Sequence, residues 1–503
     1  MGEAQQPSRG DQDGLIRPTF NGALRIETRR ERLTGDAGVF LLRELMERTG
    51  LIEWLDAHFV DPRHADLITH PMSELLRTTL ALLAQGWTDA DDADHLRHDP
   101  ALRLAVSDRR QDAPLRTPDA ASDTPDGLAS QPTLSRLLAA ASVPCNLEAL
   151  EQANLFLAQH RCRWLDDRRR YTNFTLDIDS LPIPVHGHQD GAAYNGYYDT
   201  QCYHPLILGS ADSGQLLGAI LRPGNAGTAD HAPEDLSRYL DWIQRHLSWM
   251  VTVRGDAGFP SDDMLCTLEK RLRPVDYVFR VRAYPPLQQM AKPFVSYYLH
   301  QSGQSQTPDE IHAYELSYKA EDWKKTRRVV LLIVPPEEGE LFPRTFFLIT
   351  SFGAGSMSGQ DLLDRYRQRG TYEQQLGQFM STLTPQLSST TRTKRHYRGR
   401  VPQHRSVPRD AFATNQALLS LNLLAYNLLN LGAAIASRST AQPGGRKKPV
   451  MTIDTFRQRY LKVSARITLH SRRVWASISQ TAAQLWHPWW DCIQRLEPVT
   501  MVN

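Results

Sequence analysis

A chain of 503 residues, 41% hydrophobic and 23% charged, has the composition of an ordinary globular protein long enough for several domains. Its five scattered cysteines form no CxxC pair, which argues against a disulfide framework and a cysteine-rich zinc site and agrees with a reducing cytoplasm. The net charge of +2 hides a division. Between Arg392 and Arg473 stand 17 Lys or Arg against two acids, so this segment carries +15 and the rest −13, and an acidic polymer such as DNA is its natural partner.

In chain order, residues 1–20 are polar with Pro and Gly, are expected to be disordered, and do not read as a secretory leader. FNGALRI alternates like a short strand. Helical spacing follows in GDAGVFLLRELMERTGLIEWL, SELLRTTLALLAQ and ADHLRHDPALRLAV. Ser107 to Gly127 reads as a polar loop. In SQPTLSRLLAAA, Ser130 can cap a helix with Pro132 in its first turn. That run resembles the second helix of a helix-turn-helix, offering Thr133, Ser135 and Arg136 to DNA, but an ordinary capped helix is the simpler reading.

From Tyr171 the periodicity changes. NFTLDIDS puts Phe174, Leu176 and Ile178 on one face and Thr175, Asp177 and Asp179 on the other. A hairpin (CYHPLILGSADSGQLLGAILRPG), a helix (EDLSRYLDWIQRHL), a strand (WMVTVRGDAGF) and a helix capped by Ser261 follow, indicating an α/β core. Between Asp276 and Phe352 only strand patterns are read, predicting an all-β insertion; from Ser358 the pattern is helical again. Ala411 to Ser437 carries no formal charge yet holds Asn415, Gln416, Asn422, Asn427 and Asn430. Five amides are costly in hydrocarbon, so this is expected to be a helix capped by Asp410 and buried in protein, with no membrane partner.

Three acids stand where metal ligands would serve: Asp179 at the end of one strand with Asp177 as an alternative, Asp256 at the end of another before Ala257-Gly258, and Glu373 on a helix. Magnesium takes carboxylate oxygens and leaves positions open for phosphate and water. Taken singly, each acid reads more readily as a cap, a turn residue or a surface residue than as a ligand. His186-Gly-His188-Gln-Asp190 reads as a turn rather than a zinc site.

The strings LDIDS, HGHQDGAAYNGYY, RGDAGF and YRQRGTYEQQLG, in this order, resemble the DDE transposases of bacterial insertion sequences that carry a Tyr-Arg-Glu-Lys signature, above all the family numbered thirteen-eighty. Tyr366, Arg369 and Glu373 match its spacing, and Met380 occupies the Lys position. The resemblance spans most of the chain. It implies an α/β fold: a ribonuclease H-like catalytic core with an all-β insertion, flanked by helical N- and C-terminal regions. On that basis residues 1–20 are a disordered N-terminus and 21–165 a helical DNA-end-binding region. The core would occupy 166–275, the insertion 276–352, the Glu-bearing helix 353–390, and a basic helical region 391–503. The resemblance further implies two magnesium ions, with manganese substituting, on Asp179, Asp256 and Glu373. They would serve hydrolysis at transposon ends and joining of the freed 3′ hydroxyls to target double-stranded DNA by a homodimer in the bacterial cytoplasm, associated with the nucleoid. Tyr366 and Arg369 would contact phosphate, and Trp323 would stack on a base or, as readily, pack at a strand edge. Lys394, Arg395, Arg398 and Arg400 would follow the DNA backbone. Before Ser180, Asp179 is preferred to Asp177 as ligand. The rival expectations are a defective or domesticated transposase that only binds DNA, and a metal-dependent nuclease that cuts without joining.

Overall fold

The computed structural model describes residues 18–109, 115, 127–165, 171–187, 189–273, 275–302, 311–337, 340, 342–389, 410–440, 450–470 and 473–497, apart from 22, 25 and 28–30. The N-terminal part is helical after one short strand. It comprises β1 (Arg32–Thr34), α1 (Val39–Thr49), α2 (Leu51–His58), α3 (Met72–Gln85), α4 (Asp92–His95), α5 (Pro100–Val106), α6 (Gln131–Ala141) and α7 (Pro144–Leu165). Of the strand expected in FNGALRI, residues 22 and 25 lie outside the described residues and Ile26 stands in a single bridge; the first named strand is β1, where Leu33 and its neighbours pair antiparallel with Arg466 and the residues beside it.

The centre begins with β2 (Phe174–Ser180), β3 (Ile183–Pro184), β4 (Ala193–Asn195), β5 (Thr200–Tyr203), β6 (Leu206–Ser210) and β7 (Leu216–Ile220). It continues through α8 (Ala232–His246), β8 (Val251–Gly255), α9 (Asp262–Glu269), β9 (Val275–Val281), α10 (Pro285–Ser302), β10 (His312–Tyr318), β11 (Arg327–Val334) and β12 (Arg344–Thr350). Two helices follow, α11 (Gly359–Arg367) and α12 (Arg369–Leu383). An eight-stranded sheet runs β10-β11-β12-β9-β8-β2-β6-β7, with β2, β8 and β9 mutually parallel and the other pairings antiparallel. Phe174, Leu176 and Ile178 face a core built with α8 to α10, while α11 and α12 cover the other face.

Residues 276–352 are therefore not an all-β insertion. Their strands lengthen the central sheet through β12 beside β9, and α10 lies between them. Its leading proline pair at 285–286 falls where a helix has no intrahelical partner for the missing N–H.

The C-terminal part holds α13 (Ala411–Ser439), α14 (Ile453–Phe456), β13 (Ala465–His470), β14 (Arg473–Ile478) and α15 (Gln480–Gln494). It is not purely helical: β13 and β14 form a hairpin against β1. The Asp410 carboxylate accepts from the Ala413 N–H at 3.0 Å, capping α13 as expected. Across its most apolar stretch α13 is 94% buried within the protein, packed on α3, α7 and α15. Its amides explain themselves. Asn427 bonds both the N–H and the carbonyl of Leu216, and Gln416 bonds the Leu221 N–H and the Ala219 carbonyl. The helix thus supplies hydrogen bonds to the free edge of β7 and closes that side of the sheet. The N-terminal helices share this core with α13 and α15.

Candidate active site

On β2, strand alternation turns Asp177 and Asp179 away from the α8–α10 core and toward α11 and α12. The two acids have different fates. Asp177 lies opposite Arg254 of β8 in the parallel register, and Arg254 Nε and Nη2 donate to its two oxygens at 2.8 and 2.7 Å. The pair is 1% and 0% exposed, so the alternative assignment of Asp177 to metal is corrected: its lone pairs point into a closed ion pair. Arg254 also donates to the Arg365 carbonyl, tying the end of α11 to the sheet.

Asp179, two residues on, remains 18% exposed at the strand end. Its Oδ1 accepts from the Ser180 N–H at 2.9 Å and its Oδ2 from Arg369 Nη2 at 2.5 Å. The other guanidinium nitrogen, Nη1, donates to Glu373 Oε1 at 2.6 Å, one helical turn along α12. A single guanidinium therefore spans Asp179 and Glu373, which brings a strand acid and a helix acid to within roughly 5–7 Å. Burial pushes the Asp179 carboxyl up to about 6, and the charge of Asp256 adds to the shift while Arg369 opposes it. Asp256 follows β8 directly, and its Oδ1 accepts from the Gly258 N–H at 2.9 Å in the turn that Ala257-Gly258 allows.

The three acids line one cleft of about 1420 Å³ together with Tyr366 and Arg369. Among the described residues no three acids, histidines or cysteines already close into a cage around one ion. The donor set nevertheless fits magnesium: carboxylate oxygens only, on rigid elements, with Asp179 partly desolvated by burial and raised further by a second acid. Arg369 supplies the local positive charge in this arrangement, and a divalent ion on Asp179 and Glu373 requires its guanidinium to turn away.

The other expected residues divide. Tyr366 lines the cleft, half-buried, and Arg369 stands at its centre. Met380, at the signature Lys position, packs against the core, so this position offers phosphate nothing. Trp323 is corrected: it is 4% exposed, with Tyr318 edge-on at 5.5 Å and the Arg327 guanidinium 5.3 Å from its ring centroid. Arg327 is itself held by Asp262 and Glu269, each at 3.0 Å, so no base can reach that indole. Lys394, Arg395, Arg398 and Arg400 lie outside the described residues.

Several cleft residues escaped the reading of the sequence. Tyr194, Tyr197, Tyr198 and His204 line it, as do Arg280, Arg282 and Arg367. The arginine signal was present: in VDYVFRVR, Phe279 and Val281 are buried and Arg280 and Arg282 alternate outward.

The profile of the family described as transposase DDE domain group 1 matches residues 16–499. No curated protein sequence matches the chain. Among solved structures, the cryo-EM structure of a piggyBac transposase synaptic complex with hairpin DNA aligns with a TM-score of 0.39 and 13% identity, covering 95% of this chain and 88% of that one.

Proposed function

Since the chain belongs to the group 1 family of transposase DDE domains, we propose that it cleaves DNA strands at the ends of an insertion sequence and joins the freed 3′ hydroxyls to target DNA. The observation that carries this reading is the convergence of Asp179, Asp256 and Glu373 on one cleft, with Arg369 bridging two of them. Two adjacent parallel strands presenting acids at their ends, and a third acid on a helix packed across them, support reading the centre as a ribonuclease H-like core.

Asp179, Asp256 and Glu373 would hold two magnesium ions, or manganese in their place. When bound, these would neutralise phosphate charge and activate the attacking water or hydroxyl. The protein's own side chains do the rest. Asp179 and Asp256 are fixed by strand ends and by backbone N–H donors, so their geometry is set before DNA arrives. Arg369 keeps two mutually repelling carboxylates together. Turned from them, its planar fork would take a phosphate bidentately. Tyr366, its hydroxyl proton held by burial, would donate to a neighbouring phosphate oxygen. Pairing two ends would engage a homodimer.

The test is strand cleavage and strand transfer on DNA carrying the element's own terminal repeats, with Asp179→Ala, Asp256→Ala and Glu373→Ala compared with wild type. Each variant is expected to lose magnesium-dependent cleavage by at least about a thousandfold while retaining end binding. Wild-type cleavage without joining would reduce the reading to a nuclease, and wild-type binding without cleavage to a DNA-binding protein.

A further inference from the structure

β1 pairs with β13 only from Ala465 to Ile467. Past that point β13 and β14 run on as a two-stranded ribbon through the Thr468–Trp475, Leu469–Val474 and His470–Arg473 pairs. Its two faces differ. Ala465 and Ile467 are buried in the helical core with Leu469 packed against it, which fixes the base of the ribbon. Strand alternation puts Arg466, Thr468 and His470 on the opposite face, and cross-strand pairing sets Ser477, Trp475 and Arg473 beside them. Every residue of β14 from Arg473 to Ser477 is exposed, Trp475 to 55%. Trp and Arg are the side chains that most often dominate binding surfaces, and here they stand together on a paired strand open to solvent.

Charge and shape say what this face fits. No Asp or Glu occurs between Val463 and Trp490. Arg466 pairs with Glu31 at 3.2 Å, at the β1 end, whereas Arg473 makes no ion pair among the described residues. The face therefore joins positive charge to a row of hydroxyl, imidazole and guanidinium groups, which suits an acidic partner that is recognised by hydrogen bonds. Duplex DNA is such a partner. Its major groove, about 12 Å wide, admits a two-stranded ribbon and shows a distinct donor and acceptor pattern for each base pair. The three residues that each strand extends past β1 cover about 10 Å, or about three base-pair steps.

We propose that the β13–β14 ribbon lies in the major groove at the ends of the element and reads base edges there. Arg473 would take a guanine edge with both arms of its fork, Thr468 would add a hydrogen bond, and Trp475 would give an apolar contact. This rests on the reading of the chain as a transposase, and it assigns end recognition to a surface that shares no residue with the acidic cleft.

The experiment measures binding in EDTA, where no strand is cut, to a duplex carrying the element's terminal repeat and to a scrambled duplex of equal length. Full-length wild type, Arg473→Ala, Arg473→Lys and Trp475→Ala are compared, with protection of guanine N7 from methylation as a second readout. On the repeat, Arg473→Ala and Arg473→Lys should each lose about 5- to 150-fold, with little change on the scrambled duplex. Trp475→Ala should lose affinity on the repeat alone. Wild type should protect guanines in the repeat that Arg473→Ala leaves open. Equal losses on both duplexes would make Arg473 a phosphate contact and overturn the proposal. So would unchanged binding by all three variants, or their loss of self-association with DNA binding intact, which would give the face to a second copy of the chain. A wild type that binds the repeat through the ribbon but never cuts it would uphold this inference while the catalytic reading fell.

Discussion

Arg254 and Asp177 form a bidentate ion pair directly across the β2–β8 register, sealed from solvent two residues before Asp179. A buried pair of this kind adds little net stability compared with apolar residues of the same volume, but removing one partner strands a charge. Arg254→Met should therefore destabilise the protein by about 3–5 kcal/mol in urea unfolding, and Asp177→Leu by a similar amount. The double variant should recover most of the loss. Additive losses would mean that the two side chains act independently, and the account of Asp177 as a structural acid would fall with them.

Arg369 presents two nitrogens to two different acids, which a lysine cannot do. Arg369→Lys keeps the charge and loses the fork, so cleavage should fall by about a hundredfold while end binding stays near wild type. Single-turnover cleavage with a parallel binding titration checks this. Unchanged cleavage would remove the guanidinium from the chemistry.

The Asp179 carboxyl, pushed up to about 6 from an ordinary 3.8, makes stability depend on pH. The raised value means the folded protein holds this proton better than the unfolded chain does. The stabilisation is full below about pH 3.8 and is lost as pH rises through about 6. Asp179→Asn has no such dependence. In EDTA, the unfolding free energy of Asp179→Asn relative to wild type should climb by about 2–3 kcal/mol between pH 4 and 7.5. A difference that stays constant across that range would show that the carboxyl titrates normally.

The residues that were legible in the sequence are those set by local spacing. Tyr366, Arg369 and Glu373 match the spacing of the Tyr-Arg-Glu-Lys signature and Asp256 ends a strand before Ala257-Gly258, so the family resemblance, rather than any one of these residues alone, made the site readable. The amide-bearing stretch at 411–437 likewise declared itself buried, although its partner, the edge of β7, did not. What could not be read was pairing across the sheet. Alternation put Asp177 and Asp179 on one face, but only the β2–β8 register places Arg254 opposite Asp177. Trp323 misled for a related reason. Its basic neighbours looked like a surface, yet strand alternation turns Arg327 inward to Asp262 and Glu269 and leaves Arg328 outside with Glu315.

Gly209 and Tyr372 hold the last link in the site's geometry. Tyr372 precedes Glu373 on α12; the Cε2 edge of its ring abuts Gly209 of β6, and its hydroxyl donates to the Ile207 carbonyl at 2.9 Å. A Cβ at 209 would stand 2.2 Å from Tyr372 Cε2, and that ring is closed in on all sides. Gly209→Ala must therefore lift α12 from β6 and carry Glu373 away from Asp179. The expected cost is about 1–3 kcal/mol of stability from overpacking. Cleavage should fall by about a hundredfold, because a displacement near 1 Å at a catalytic group is enough. Binding to transposon ends should change far less, since Arg280, Arg282 and Arg367 are not carried on α12. Shrinking the ring in Gly209→Ala with Tyr372→Leu should return much of the lost activity. If Gly209→Ala cleaves like wild type, α12 is not positioned by this contact, and the placement of Glu373 must come from Arg369 and the α11 junction instead.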